Sequence, residues 1–107
     1  MLGIDIVEVA RFDSDKLANQ ILGEAEKIEY QDATNKPAYL AKRFAAKEAC
    51  IKATGLTIPV SAIQILNKPS GAPYVVSEYL EDYRIMLSIS DEKDYAVAVA
   101  IAYHEEV

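Results

Sequence analysis

A chain of 107 residues, 51% apolar and 26% charged, suits one globular core; split in two, each half would approach the size at which burial no longer offsets chain entropy. The formal net charge of -6 weighs against a general nucleic-acid binder, which needs a basic surface to neutralise phosphates. A lone Cys50 cannot close an intramolecular disulfide, no charged leader followed by an apolar run opens the chain, and no apolar run reaches the roughly 18 residues of a membrane span. The expectation is a soluble protein of the reducing cytoplasm, and a domain this small gains stability cheaply by joining copies of itself.

In chain order, the opening run alternates with the period of a strand: Leu2, Ile4 and Ile6 share one face, while Gly3, Asp5 and Val7 share the other. Residues 10–35 are polar and helix-compatible, with Asp13-Ser14-Asp15 as N-cap candidates and a second short helix carrying Glu24, Glu26 and Glu29 after Gly23. Residues 37–54, closed by Gly55, predict a long helix rich in alanine and straight side chains. At about 100° per residue, Leu40, Phe44 and Ile51 form one stripe. Glu48 and Lys52 lie just beside it, Arg43 and Lys47 flank its other side, and Ala46, Ala49 and Ala53 make a small-residue back.

Beyond that helix, Ala62-Ile63-Gln64-Ile65-Leu66 and Tyr74-Val75-Val76 predict a hairpin around a Pro- and Gly-containing turn. A second hairpin joins residues 84–90 to residues 95–103 through Asp91-Glu92-Lys93-Asp94. Its last strand segregates Tyr95, Val97, Val99, Ile101 and Tyr103 from Ala96, Ala98, Ala100 and Ala102. An alanine face on a strand and an alanine back on a helix can approach closely, so the two pack together or build a subunit contact. The class is α+β.

Two acids stand out. Asp5 interrupts a β-branched strand, where aspartate is disfavoured and costly if buried without a positive partner. Its plain reading is a salt bridge, and that of Glu48 is an intrahelical pair with Lys52 in the favourable i,i+4 order. Residues 36–55 nevertheless concentrate Lys36, Lys42, Arg43, Lys47 and Lys52 against Glu48 alone. A solvated helix face is the usual reason for such a run. The alternative is a phosphate held by lysine beside a magnesium held by carboxylates, since magnesium takes one or two carboxylates together with substrate phosphates and water.

The opening Gly3-Ile4-Asp5-Ile6-Val7-Glu8, the helix Arg43-Phe44-Ala45-Ala46-Lys47-Glu48-Ala49 continuing to Lys52-Ala53, the turn Gly71-Ala72-Pro73-Tyr74, and Leu87-Ser88-Ile89-Ser90 followed by Tyr95-Ala96-Val97-Ala98 resemble the holo-(acyl-carrier-protein) synthases, the short type of 4'-phosphopantetheinyl transferase. Order and spacing agree over nearly the whole chain, and the first two motifs together are highly specific. The resemblance implies the 4'-phosphopantetheinyl transferase-like fold, with an antiparallel sheet packed on one long helix, in a trimer that holds coenzyme A between subunits. It implies a magnesium enzyme that moves phosphopantetheine from coenzyme A to a serine of acyl carrier protein. Asp5 and Glu48 would bind Mg2+ and Lys52 the pyrophosphate; Arg43, with Gly71 and Pro73 of the turn, would lie at the coenzyme; Arg11 would meet acidic residues of the carrier.

Phosphoryl-group transfer of this kind needs charge neutralisation and in-line positioning more than a protein nucleophile, so the lack of a Ser/His/Asp or Cys/His set is consistent with it. Glu48, a metal-bound water or an acid of the carrier could each take the serine proton. Asp91 stands where many members carry a histidine, and residues 77–83 replace a longer helical segment, which leaves one wall of the cleft more open. His104 reads as a surface residue near the C-terminus and Cys50 as a small core residue. Two other readings compete: a non-catalytic trimeric module that binds the carrier, and another magnesium-dependent phosphate enzyme such as a small nucleotide hydrolase.

Overall fold

Asn35 and Gly55 bracket the helix on which the fold is built. The Asn35 side chain accepts from the Ala38 N–H at 3.1 Å, Pro37 sits in the first turn where no N–H is missed, and Gly55 ends the helix at a left-handed φ of 72°. The computed structural model describes residues 1–104. Strand β1 (Leu2–Glu8) leads through a 3-10 turn (Val9–Phe12) into helices α1 (Asp15–Ile21), α2 (Glu24–Asp32) and α3 (Lys36–Thr54). A second 3-10 turn (Val60–Ala62) precedes the hairpin β2 (Gln64–Asn67) and β3 (Pro73–Val76), and a third (Glu78–Leu80) precedes β4 (Tyr83–Asp91) and β5 (Tyr95–His104). Ser14 caps α1 as the sequence predicts.

The strands form an antiparallel three-stranded sheet in the order β1-β5-β4 and a separate two-stranded sheet from β2 and β3. The alanines of β5 all point at α3 and are buried. At Gly3 the helix passes so close that an added Cβ would lie 2.1 Å from the Ala49 carbonyl oxygen and 2.7 Å from the Ala53 nitrogen. The small-residue faces therefore pack together inside one chain. On the helix stripe Leu40 is fully buried while Phe44 and Ile51 are half-buried, and the alanine back is what the sheet covers. Residues with short side chains let two backbones approach, so they reach deeper into the core than the bulky ones beside them.

The first hairpin begins two residues later than its alternation suggests. Pro59 fixes φ ahead of a 3-10 turn, closed by Ala62 N–H to the Pro59 carbonyl at 2.9 Å, and the ladder starts only at Gln64. A larger departure concerns Lys47, expected with the solvated or phosphate-binding cations. It is fully buried, as is Glu26 of α2, and the two meet at 2.6 Å. Lys47 also donates to the Ile21 carbonyl, while Glu26 accepts from the Gly23 and Ile65 N–H groups, so the pair ties α1, α2, α3 and β2 together. Burial pushes the Lys47 ammonium down from its ordinary range, and the Glu26 carboxylate opposes that shift.

Helix α3 covers one face of the three-stranded sheet. The other face carries Leu2, Ile4, Ile6, Met86 and Ile101, exposed by 43 to 65%, with Tyr95 and Tyr103 beside them. Among the described residues nothing covers this face, and no helix is long and apolar enough to cross a membrane.

Removing one partner of a buried ion pair leaves the other charge unpaired, at a cost of about 3–5 kcal/mol. Glu26→Ala should show that loss in urea unfolding. Lys47→Met should cost less, because the remaining carboxylate keeps the Gly23 and Ile65 donors; an equal or larger loss would contradict this account of the pair.

Candidate active site

Alternation along β1 turns Gly3, Asp5 and Val7 toward α3, and the register sets Asp5 opposite Ala98 of the central strand. The helix approaches over Gly3, and its Glu48 and Lys52, one turn apart, come down beside Asp5. Lys52 Nζ donates to Asp5 Oδ1 and to the Ile4 carbonyl, each at 3.0 Å. The other carboxylate oxygen, Asp5 Oδ2, is buried with no hydrogen-bond partner among the described residues. The i,i+4 pair between Glu48 and Lys52 is not formed, because Lys52 turns to Asp5 instead. Partial burial, and then the nearby Asp5 charge, hold the Glu48 carboxyl above its ordinary range, against the pull of Lys52.

Two carboxylates thus lie near one partly exposed cation, which pairs with Asp5, and one buried oxygen remains unpaired. A buried polar group without a partner is costly, and a hard divalent cation is the ligand that oxygen donors of this kind satisfy. Among the described residues there is no group of three or more His, Cys, Asp or Glu side chains that could hold a metal, here or elsewhere. The donor set fits an ion that takes its remaining ligands from substrate and water.

A second cluster forms on the far side of α3. Arg43, Gly71 and Pro73 line a cavity of about 170 Å³ with Lys42, Asn67, Ile89 and Asp91. The Arg43 guanidinium lies 4.4 Å over the Tyr39 ring, 3.6 Å from the Glu29 carboxylate, and donates to Asn67 Oδ1 at 2.8 Å. Asp91 stands 4.0 Å from Lys42. The expected coenzyme residues therefore come together, but with β5 between the edge strand of Asp5 and the edge strand of Ile89 and Asp91. Sequence reasoning missed Asn67, Tyr39 and Glu29; the only available signal was a polar residue closing a strand next to a Pro-Gly turn.

The remaining candidates stand apart from both clusters. Arg11 is exposed in the turn after β1 and makes no ion pair among the described residues. Burial pushes the Cys50 thiol up to about 12, as expected of an inert core cysteine. His104 is exposed, packed on Tyr83 with Nδ1 3.1 Å from the Asp82 carbonyl oxygen. A larger groove of about 610 Å³ opens between β3 and β4, bordered by Tyr74, Val76, Tyr83 and Ile85. Only the short turn Glu78–Leu80 crosses there, and the groove holds none of the expected site residues.

The long helix of this α+β chain sets a glutamate and a lysine against a strand aspartate, and the chain shares its sequence and fold with phosphopantetheine-transferring proteins. A family model described as the 4'-phosphopantetheinyl transferase superfamily matches residues 1–100. A holo-(acyl-carrier-protein) synthase of Shewanella sp. (strain MR-4) is 42% identical, over 94% of this chain and 93% of its own. One from Geobacillus sp. (strain WCH70) is 44% identical over 94% of this chain and 92% of its own. The crystal structure of a holo-(acyl-carrier-protein) synthase from Bacillus anthracis, in complex with CoA (3',5'-ADP), superposes with a TM-score of 0.89 at 31% identity, covering 97% of this chain and 96% of that one. The chain belongs to the 4'-phosphopantetheinyl transferase superfamily, within its holo-(acyl-carrier-protein) synthase family. The aligned span with the Shewanella relative, 118 positions, exceeds the 107 residues present here, so that relative carries internal residues this chain lacks.

The raised Glu48 carboxyl has a measurable sign. Ionising it costs more in the folded than in the unfolded chain, so above its folded value Glu48 lowers stability, and below its ordinary value of 4.5 it contributes nothing. Glu48→Gln should therefore raise the thermal midpoint of the metal-free protein at neutral pH. That gain should vanish as the pH falls through the ordinary glutamate range, and a pH-independent difference would overturn the assignment.

Proposed function

We propose that this chain transfers the 4'-phosphopantetheine arm of coenzyme A to a serine of apo-acyl carrier protein, releasing adenosine 3',5'-bisphosphate. The observation that carries the reading is the unpaired Asp5 carboxylate oxygen beside Glu48 and Lys52. The names of the relatives support it, as does the coenzyme in the Bacillus anthracis complex. A purely binding module has no use for a half-buried acid pair, which only costs stability.

In this reading Asp5 and Glu48 would hold Mg2+, and the chemistry supplied there would be charge neutralisation at the pyrophosphate. The Asp5–Lys52 contact orients the ammonium so that it can reach the pyrophosphate oxygens and stabilise the leaving phosphate. The basic wall made by Lys42 and Arg43 suits the anionic remainder of the coenzyme, held at the backbone of the Gly71 turn. Exposed Arg11 presents a cation to an acidic carrier surface. The site is a cytoplasmic one, where coenzyme and carrier meet.

The uncovered apolar face of the sheet supports a trimer, three such faces closing around one axis. The same assembly explains why the two clusters lie apart within one chain. A β1 edge carrying Asp5, Glu48 and Lys52 would meet the Arg43 pocket of a neighbouring subunit, completing one cleft per interface.

Incubation with apo-carrier, coenzyme A and Mg2+ should add one phosphopantetheine mass to the carrier, and chelation should stop it. Asp5→Asn and Glu48→Gln should each slow transfer about 100-fold or more, since even an indirect metal partner costs up to that factor. Wild-type rates in either variant across a magnesium titration would overturn the metal assignment.

Mixing tests the shared cleft. Inactive Asp5→Asn protein and Arg43→Ala protein weakened at low coenzyme A, dissociated and reassembled together, should show more activity at low coenzyme A than either alone. Asp5→Asn with Lys52→Ala should regain none, because those residues touch within one chain. Failure of the first mixture in trimers shown to have exchanged subunits would mean that both clusters serve a cleft from one chain.

A further inference from the structure

The cavity at Arg43 is assembled from parts with no backbone pairing between them. Arg43 comes from α3, whereas Gly71 and Pro73 come from the turn of a hairpin that forms its own sheet. That turn is closed internally, by Lys68 N–H to the Ala72 carbonyl at 2.9 Å and Gly71 N–H to the Lys68 carbonyl at 2.8 Å, and Gly71 sits at a left-handed φ of 93°. Tyr39 and Glu29 hold the guanidinium from the helical side. The phenol of Tyr39 is itself fixed by donating to Glu29 Oε1 at 2.6 Å. Nothing in that arrangement reaches the turn.

Asn67 does. Its Oδ1 accepts from Arg43 Nη2 at 2.8 Å, and its Nδ2 donates to the Gly71 carbonyl at 2.9 Å. The residue is exposed, so it is not there to fill the core, and it uses both ends of its amide. Aspartate keeps the acceptor and loses the donor; serine is too short to span both partners; an apolar residue makes neither bond. A guanidinium held to a loop by one amide presents its charge and the loop backbone as a single surface, which lowers the ordering cost of binding an anion there.

We propose that Asn67 is a positioning residue for the donor substrate, acting through Arg43 and the Gly71 turn to hold the phosphate-bearing end of the coenzyme. The inference rests on the reading that this pocket takes the coenzyme, and the test separates the two. In the full-length protein, Asn67→Ala should raise KM for coenzyme A roughly 5- to 10-fold, the loss expected from one or two net hydrogen bonds. The turnover number, KM for the carrier and the thermal midpoint should stay close to wild type. Asn67→Asp should not restore coenzyme affinity, because it cannot donate to Gly71.

In an Arg43→Ala background, Asn67→Ala should change KM for coenzyme A by less than about 2-fold, since residues acting through one another are not additive. Full additivity would make Asn67 a direct contact and overturn the positioning role. Equal losses for both substrates with a lowered thermal midpoint would reduce it to a fold residue. If Arg43→Ala raises KM for coenzyme A and Asn67→Ala does not, this inference alone falls. If Arg43→Ala itself leaves KM for coenzyme A unchanged, the placement of the coenzyme falls and takes this inference with it.

Discussion

A methyl group at residue 3 would sit 2.1 Å from the Ala49 carbonyl oxygen, and that close approach of α3 to the sheet governs the geometry around it. It demands glycine on β1 and alanines on β5 and on the helix, and it leaves no room for bulk between the layers. It also sets the height at which Glu48 and Lys52 descend on the strand. With a bulkier residue at position 3 the helix would ride outward, and Asp5 would exchange a lysine at 3.0 Å for solvent.

The site built by this contact is electrostatically uneven. Asp5 satisfies one oxygen and buries the other unpaired, and Glu48 ionises against both burial and the Asp5 charge. Lys47, on another flank of the same helix, and Glu26 of α2 show the contrasting arrangement: a charged pair fully removed from water with backbone groups completing its hydrogen bonds. Helix α3 therefore supplies one member of a satisfied buried pair that ties the helical layer together and one member of an acid pair with an unpaired oxygen at its solvent border. The unpaired oxygen is where the proposed cation would find its ligand.

The two-sided placement of the expected site residues is tied to the open face of the sheet. Asp5 and the Arg43 pocket lie on opposite flanks of α3 because β5 runs between their strands, and Leu2, Ile4, Ile6 and Ile101 on the reverse face remain uncovered. An apolar face of that extent costs solubility in a monomer. The proposed trimer would answer both features at once, since a contact that removes apolar surface from water would also bring unlike edges together.

Much of this was legible in the residues. Alternation assigned the faces of β1 and β5, capping and composition delimited α3, and an aspartate in an apolar strand flagged itself, because such signals are local and follow from backbone periodicity. The sequence by itself thus determined the α+β class, the strands and long helix, the family, and Asp5, Glu48 and Lys52 as candidates. Only the tertiary structure decided that Lys52 pairs with Asp5 rather than with Glu48, that Lys47 is buried on Glu26, and that Asn67 joins Arg43 to the Gly71 turn. Those partners are 21 to 47 residues apart in the chain for the first two pairs and 24 for Arg43 and Asn67. A charge pattern along one helix records which side chains are available; which of them meet depends on how closely distant backbones pass, and here on the missing Cβ of Gly3.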